Sequence, residues 1–291
     1  MKRGSYMKIK FTKMQAYGND YVYISTIDQK LDNLNELAKF VSDRHFGIGS
    51  DGMVLICPSD VADFRMRIFN PDGTEAEMCG NAIRSVGKYV YDHHLTQKED
   101  LTIETLGGIQ KLHLFVENGI AVNIRADIGE PRMDASVVPV NTDLPEFFNQ
   151  PVPILDRDFL VTALSWGNPH IAVFVDNVDD FDVHRYGNAL EHHTSLFPNK
   201  TNVTFVEFVD KDNLKIREWE RGTGETIGCG TGCCTAAVTA IRLGLCSRRI
   251  TVMQIGGPLV VEWDEQTGHV FMTGPSHTVF ESEIDTDYRR L

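Results

Sequence analysis

Residues 220–240 read Glu220-Arg221-Gly222-Thr223-Gly224-Glu225-Thr226-Ile227-Gly228-Cys229-Gly230-Thr231-Gly232-Cys233-Cys234-Thr235-Ala236-Ala237-Val238-Thr239-Ala240. Glycines at 222, 224, 228, 230 and 232 let the backbone fold tightly about a ligand. From Cys233 onward small and β-branched residues run without a glycine until Gly244. The pattern predicts a loop entering a helix at Cys229, Gly230 and Thr231. Free N–H groups at such an entry favour an anion. A cysteine placed there is expected to lean toward thiolate.

The same device occurs a second time. Residues 70–88 run from Asn70-Pro71-Asp72-Gly73 through Cys79-Gly80-Asn81 into another helical pattern. Cys229 follows Cys79 by 150 residues, and Asn168 in Trp166-Gly167-Asn168-Pro169-His170 follows Asn19 in Tyr17-Gly18-Asn19-Asp20 by 149. Nine residues before each cysteine stands a polar residue, Asn70 or Glu220. A shared order at one offset predicts two halves of similar architecture. Two related halves place a ligand in the cleft between them. Each half then aims one helix start and one sulfur at it.

The chain of 291 residues is long enough for two cores. Its net charge of −13 argues against nucleic acid or an anionic membrane as partner. No apolar run reaches the length of a transmembrane helix. Met1–Met7 carries positive charge without a following apolar region, unlike a signal peptide, and the first strand is expected to start at Met7. Six cysteines without a Cys-x-x-Cys pair suit neither a disulfide framework nor a zinc site, so a reducing cytoplasm is expected.

Outward from the loops, strands are expected within 8–27, at 53–57, 64–69 and across 101–128, with an amphipathic helix over 33–45. Gly47-Ile-Gly-Ser-Asp-Gly52 matches the dinucleotide fingerprint formally. It leaves a helix and enters a strand, the reverse of the required context, and reads as a turn. Pro131, Pro139, Pro145 and Pro151 punctuate 129–153, which reads as the inter-domain connection. Strands follow at 158–164, 170–175, 202–209, 213–219, 249–254, 258–263 and 269–273, with a helix near 181–192. Strands outnumber helices and come in runs, which predicts an α+β fold with mostly antiparallel or mixed sheets. The domains are expected at 1–128 and 129–274.

Taken over the whole chain, these motifs resemble the diaminopimelate epimerase family. The resemblance rests on Tyr17-Gly-Asn-Asp20, Phe69 to Asn81, Gly167-Asn-Pro-His170, Asn202-Val203, Glu220-Arg-Gly-Thr-Gly-Glu225 and Cys229-Gly-Thr-Gly232. The two Cys-Gly loops alone also resemble proline racemases. Asn81 and the Glu220–Glu225 run favour the first family. It implies two similar domains, each a sheet rolled around a central helix, with segment 275–291 returning to the first. It implies Cys79 and Cys229 as a thiolate base and thiol acid, tuned by His170 and Glu220, and no pyridoxal phosphate or other cofactor. Cys79 is implied to meet the LL substrate and Cys229 the meso one. Asn19, Asn70, Gly80, Asn81, Asn168, Asn202, Glu220, Arg221, Gly230 and Thr231 are expected around an amino-acid substrate. Arg221 suits a distal carboxylate because its fork binds both oxygens. A homodimer is implied, with Phe280 open to a dimer contact or to core packing. Ala82, Ser85 and Gly52 depart from residues common in that family, as does Cys233. A racemase of proline or hydroxyproline stays open as an alternative, as does a non-enzymatic anion-binding redox switch.

Overall fold

The computed structural model describes residues 7–286, so the lead before Met7 lies outside the described residues. In chain order the elements begin with β1 (Met7–Ala16), β2 (Asn19–Ser25), α1 (Leu34–Ser42), β3 (Met53–Cys57) and β4 (Phe64–Phe69). There follow β5 (Glu75–Ala76), α2 (Gly80–Asp92), β6 (Asp100–Thr105), β7 (Gly108–Glu117) and β8 (Ile120–Gly129). The rest comprises β9 (Gln150–Ile154), β10 (Arg157–Ser165), β11 (Pro169–Phe174), α3 (Val183–Glu191), β12 (Asn202–Asp210) and β13 (Asn213–Glu220). Last come β14 (Gly224–Thr226), α4 (Gly230–Arg242), β15 (Arg249–Gln254), β16 (Gly257–Trp263), β17 (Val270–Gly274) and β18 (His277–Thr286).

The chain divides into two units. One takes the chain through Ala126 and again from Gly274; the other takes Asp127–Thr273. Both follow one order of pairings. In the first, β1–β2 is antiparallel, β2–β3 parallel, β3–β4 antiparallel and β4–β6 parallel, with β6–β7–β8 antiparallel. In the second, β10–β11, β11–β12, β12–β13, β13–β15 and β15–β16–β17 repeat those senses in turn. The two helix starts, Gly80 and Gly230, keep the spacing of the cysteines before them. This is an α+β architecture of mixed sheets, as the strand runs indicated.

Each unit is built about one helix. Residues 81–90 of α2 and 232–240 of α4 are buried on every face, so the strands wrap around them. Both helices end in the same way. His94 (φ 57°) and Gly244 (φ 73°) take the left-handed conformation, and Leu95 and Leu245 return N–H bonds of 2.9 and 3.0 Å to Val90 and Ala240. That double reversal closes the orphan carbonyls of each last turn. Outside α2, the first core gathers Phe11, Ile24, Leu37, Val41, Leu55 and Phe69. The second gathers Phe147, Phe159, Tyr186, Phe197, Phe205 and Trp219.

One expectation needs correcting. Residues 129–153 are not a free connection: Ala135, Val138, Val140 and Phe147 are buried in the second core. Val152, between Pro151 and Pro153, is buried too, and both prolines lie exposed on β9, paired with β10. Proline is tolerated there because its missing N–H is spent on an outer strand. Among the described residues no helix is long and apolar enough to cross a membrane.

Candidate active site

The first half-site is assembled where β2, the β4–β5 turn and α2 begin. Cys79 is extended (φ −140°, ψ 123°) and caps α2 without a side-chain cap bond, leaving its sulfur turned elsewhere. Its thiol donates to Asn19 Oδ1 at 3.6 Å, and the Tyr21 hydroxyl lies 4.0 Å from Sγ. Asn19 presents that oxygen because its amide donates to Asp51 Oδ2 at 3.0 Å. Asp51 is held in turn by Arg44, which spans to Asp20 at 2.9 Å and to Asp51 at 2.8 Å. Gly47 to Gly52 is thus a turn that delivers Asp51, as its context indicated. Gly52 itself admits no side chain, since a Cβ would lie 2.3 Å from the Phe69 carbonyl oxygen. Asn81 is buried and accepts from Arg84 Nη2 at 2.7 Å, and Ser85 Oγ shares a 2.7 Å hydrogen bond with Ser276. Asn70 lies in the β4–β5 turn with its amide donating to Thr74 rather than toward sulfur.

The second half-site has the same frame with different chemistry. Cys229 caps α4 and its sulfur accepts from the Gly232 N–H at 3.4 Å, with Thr231 Oγ1 also at 3.4 Å. Gln254 Oε1 receives the Cys229 N–H at 2.9 Å and the Cys233 thiol at 3.4 Å. His170 and Asn202 are register partners on β11 and β12, with Nε2 and Nδ2 3.5 Å apart. Asn202 Oδ1 accepts the Arg221 N–H at 2.9 Å. Arg221 is exposed, and one guanidinium nitrogen donates to the Asn199 carbonyl at 2.9 Å. Glu220 accepts from Thr226 at 2.6 Å. Asn168 lies in the bend before β11, where its carbonyl receives the Trp166 N–H at 3.3 Å.

Sequence reasoning missed Glu218. It lies 2% exposed on β13, Oε1 3.7 Å from His170 Nδ1. The pair has the partners of an ion pair but not the charges. Burial, helped by the positive Arg221, drives His170 down to about 3. Burial likewise pushes the Glu218 carboxyl well above the usual carboxylate range. Burial thus favours the neutral form of each. The same burial, reinforced by Glu218 and Glu220, raises the Cys229 thiol well above its ordinary value. The expected lean toward thiolate is thus overturned for Cys229: desolvation and two nearby carboxyls outweigh the helix start. A trace of Glu218 was present in the alternation Leu214, Ile216, Glu218, in which an acid falls on the apolar face of a strand.

These shifts give opposite stability slopes. Between pH 6.5 and about 3, unfolded His170 binds a proton that the folded ring refuses, so stability falls with falling pH by about 1.4 kcal/mol per unit. Above about 4.5, unfolded Glu218 releases a proton that the folded carboxyl keeps, so stability falls with rising pH up to its raised value. The two oppose each other between about 4.5 and 6.5. Urea unfolding against pH is expected to show His170→Gln flattening the acid limb and Glu218→Gln the alkaline one. Limbs unchanged from those of the parent chain would refute the assignment.

With both half-sites described, comparison with known proteins is informative. The diaminopimelate epimerase family model matches residues 11–133 and 162–279. The diaminopimelate epimerase of Methanococcus maripaludis is 52% identical over 277 residues, covering 95% of this chain and 100% of that protein. That of Acetivibrio thermocellus is 51% identical over 277 residues, covering 95% and 99%. Among solved structures, a PhzF-family phenazine biosynthesis protein of Bacillus anthracis aligns with a TM-score of 0.71 at 20% identity, covering 96% of this chain and 100% of that one. A hydroxyproline epimerase from Agrobacterium vitis aligns at 0.69 and 13%, covering 98% and 94%. The two structures share the fold; the family follows from the sequence relatives. Matched along most of its length and half identical to two of these enzymes, the chain belongs to the diaminopimelate epimerase family.

Proposed function

We propose that this chain interconverts LL- and meso-diaminopimelate by two-base proton transfer, Cys79 and Cys229 acting from opposite sides of the α-carbon. Inversion needs a proton taken from one face and another given to the opposite face. A thiolate takes the α-proton, the electron pair moves toward the carboxylate, and the other cysteine's thiol supplies the new proton. The roles exchange in the reverse direction. The observation that carries this reading is that each cysteine caps the equivalent helix of a repeated unit. The first N–H groups of such helices have no carbonyl of their own helix to bond. Those at Gly80, Asn81, Gly230 and Thr231 are the natural donors to charge growing on the carboxylate. One such donor is typically worth about 3 kcal/mol in the transition state. No cofactor is needed for that stabilisation.

Arg221 is the partner for the distal carboxylate, and Asn19, Asn70, Asn168 and Asn202 serve the zwitterion as donors and acceptors. Glu220 holds ammonium and, with His170, adjusts the cysteines. The enzyme works as a cytoplasmic homodimer in this reading. Half-exposed Phe280, set edge-on to Phe11 at 5.8 Å, is available to the second copy. Incubating the reduced protein with LL-diaminopimelate in heavy water is expected to yield meso product deuterated at the inverted carbon. Folded protein giving neither label nor inversion would refute the activity.

A further inference from the structure

The repeat supplies its own control for the protonation of the two cysteines. On β13, Glu218 stands directly across from Thr204 of β12; on β4, Ile68 stands across from Val54 of β3. Glu218 pairs onward with Thr226 of β14, and Ile68 with Ala76 of β5, so the positions correspond. His170 pairs with Leu164, and Tyr21 with Met14, in the same way. The cluster His170, Thr204 and Glu218 therefore replaces Tyr21, Val54 and Ile68 on one backbone frame. All six are buried.

A second correspondence shows that the carboxyl is built in. Gly232 holds the third place of α4, where Ala82 holds the third place of α2. A Cβ on Gly232 would lie 2.4 Å from Glu218 Oε2. The Gly232 N–H meanwhile donates to the Cys229 sulfur. Carboxyl and sulfur thus flank one residue, and the glycine there makes room for the acid. His170 Nδ1 is buried without a hydrogen-bond partner, and Thr204 and Cys229 face the Glu218 carboxyl outside close hydrogen-bond geometry. An apolar pair would serve packing better, as Val54 and Ile68 do in the other half.

We propose that Glu218 is a positioning residue that, packed with Cys229 around Gly232, keeps Cys229 as the thiol of the resting enzyme and leaves the base to Cys79. Losing a proton from Glu218 puts one negative charge behind Gly232. A second loss, from Cys229, would put like charges on both sides of that residue, where both groups are largely buried. Besides Glu218, the groups acting on this sulfur are the Glu220 carboxyl from β13, the Thr231 hydroxyl and the Gly232 N–H; Gln254 holds the Cys229 N–H, and Arg221 acts on His170. The inference rests on the epimerase reading for its consequence, but the ionisation it describes can be measured without substrate.

The test is cysteine 13Cβ NMR on the full chain, with the Cys229 signal assigned by its loss in Cys229→Ser. Glu218→Gln and Glu218→Ile, the latter copying the first half, are expected to lower the Cys229 midpoint by about one pH unit. The alkaline limb of kcat/KM should fall by the same interval, while the Cys79 signal stays in place. A Cys229 midpoint unmoved in a folded Glu218 variant overturns the proposal. A purely structural Glu218 would shift the unfolding midpoint and leave the limb where it was. Should heavy water show no exchange while the midpoints shift as described, the epimerase reading fails and the coupling stands.

Discussion

Cys79→Ala and Cys229→Ala are each expected to lower kcat/KM for inversion by about 10⁴-fold, the upper range for one acid or base in place. The two losses should be of similar size, because in the proposed mechanism each turnover uses both groups. They should differ in stability. The Cys79 side chain makes no cap bond, so α2 keeps its start when the sulfur goes. The Cys229 sulfur accepts the Gly232 N–H, and its removal costs about 1 kcal/mol, the ordinary worth of a cap. Cys229→Ser retains an acceptor there and separates lost chemistry from lost capping. Chiral chromatography of product, alongside urea unfolding of each variant, makes the comparison. Either alanine variant retaining a tenth of parental activity would rule out a two-sulfur mechanism.

The parts of this molecule that were readable beforehand are those set by local chemistry. A cysteine followed by glycine and a small polar residue marks a helix start, and the 150-residue offset between Cys79 and Cys229 exposed the repeat. Strand runs such as Met53–Cys57 and Phe64–Phe69 declared themselves by alternating or continuous apolar residues. What stayed hidden depends on partners distant in the chain. The strand His277–Thr286 pairs with β1 over its whole length, yet residues 279–283 are exposed and show no inward face to read. Pro151 reads as a break, whereas it occupies a solvent-facing place on an outer strand. The protonation of Cys229 is not legible locally, because a helix start is a local cue whereas Glu218 acts on the sulfur from a different element.

Trp219→Ala should be the most destabilising single change in the second unit, at about 3–5 kcal/mol for the cavity alone. The ring is 6% exposed and lies against α3, so close that a Cβ on Gly187 would come within 2.6 Å of its Cγ. His184 meets the ring edge-on at 5.2 Å. Its indole N–H donates to Glu191 Oε2 at 2.8 Å. Glu191 is itself 2% exposed and holds the Gly222 N–H at 3.0 Å and Lys200 at 3.3 Å through its other oxygen. Removing the indole therefore leaves a buried carboxylate short of one donor and slackens the turn beyond Glu220 that carries Arg221. Trp219→Phe keeps most of the ring and deletes the N–H; it should cost about 2 kcal/mol, as expected for a hydrogen bond to a charged acceptor. Because Arg221 is assigned to binding rather than to proton transfer, both variants should raise KM more than they lower kcat. Urea unfolding and steady-state kinetics at one temperature give both quantities. A phenylalanine variant as unstable as the alanine one would place the stabilisation in the Glu191 bond instead of the packed ring, and an unchanged KM in both would detach this tryptophan from the substrate loop.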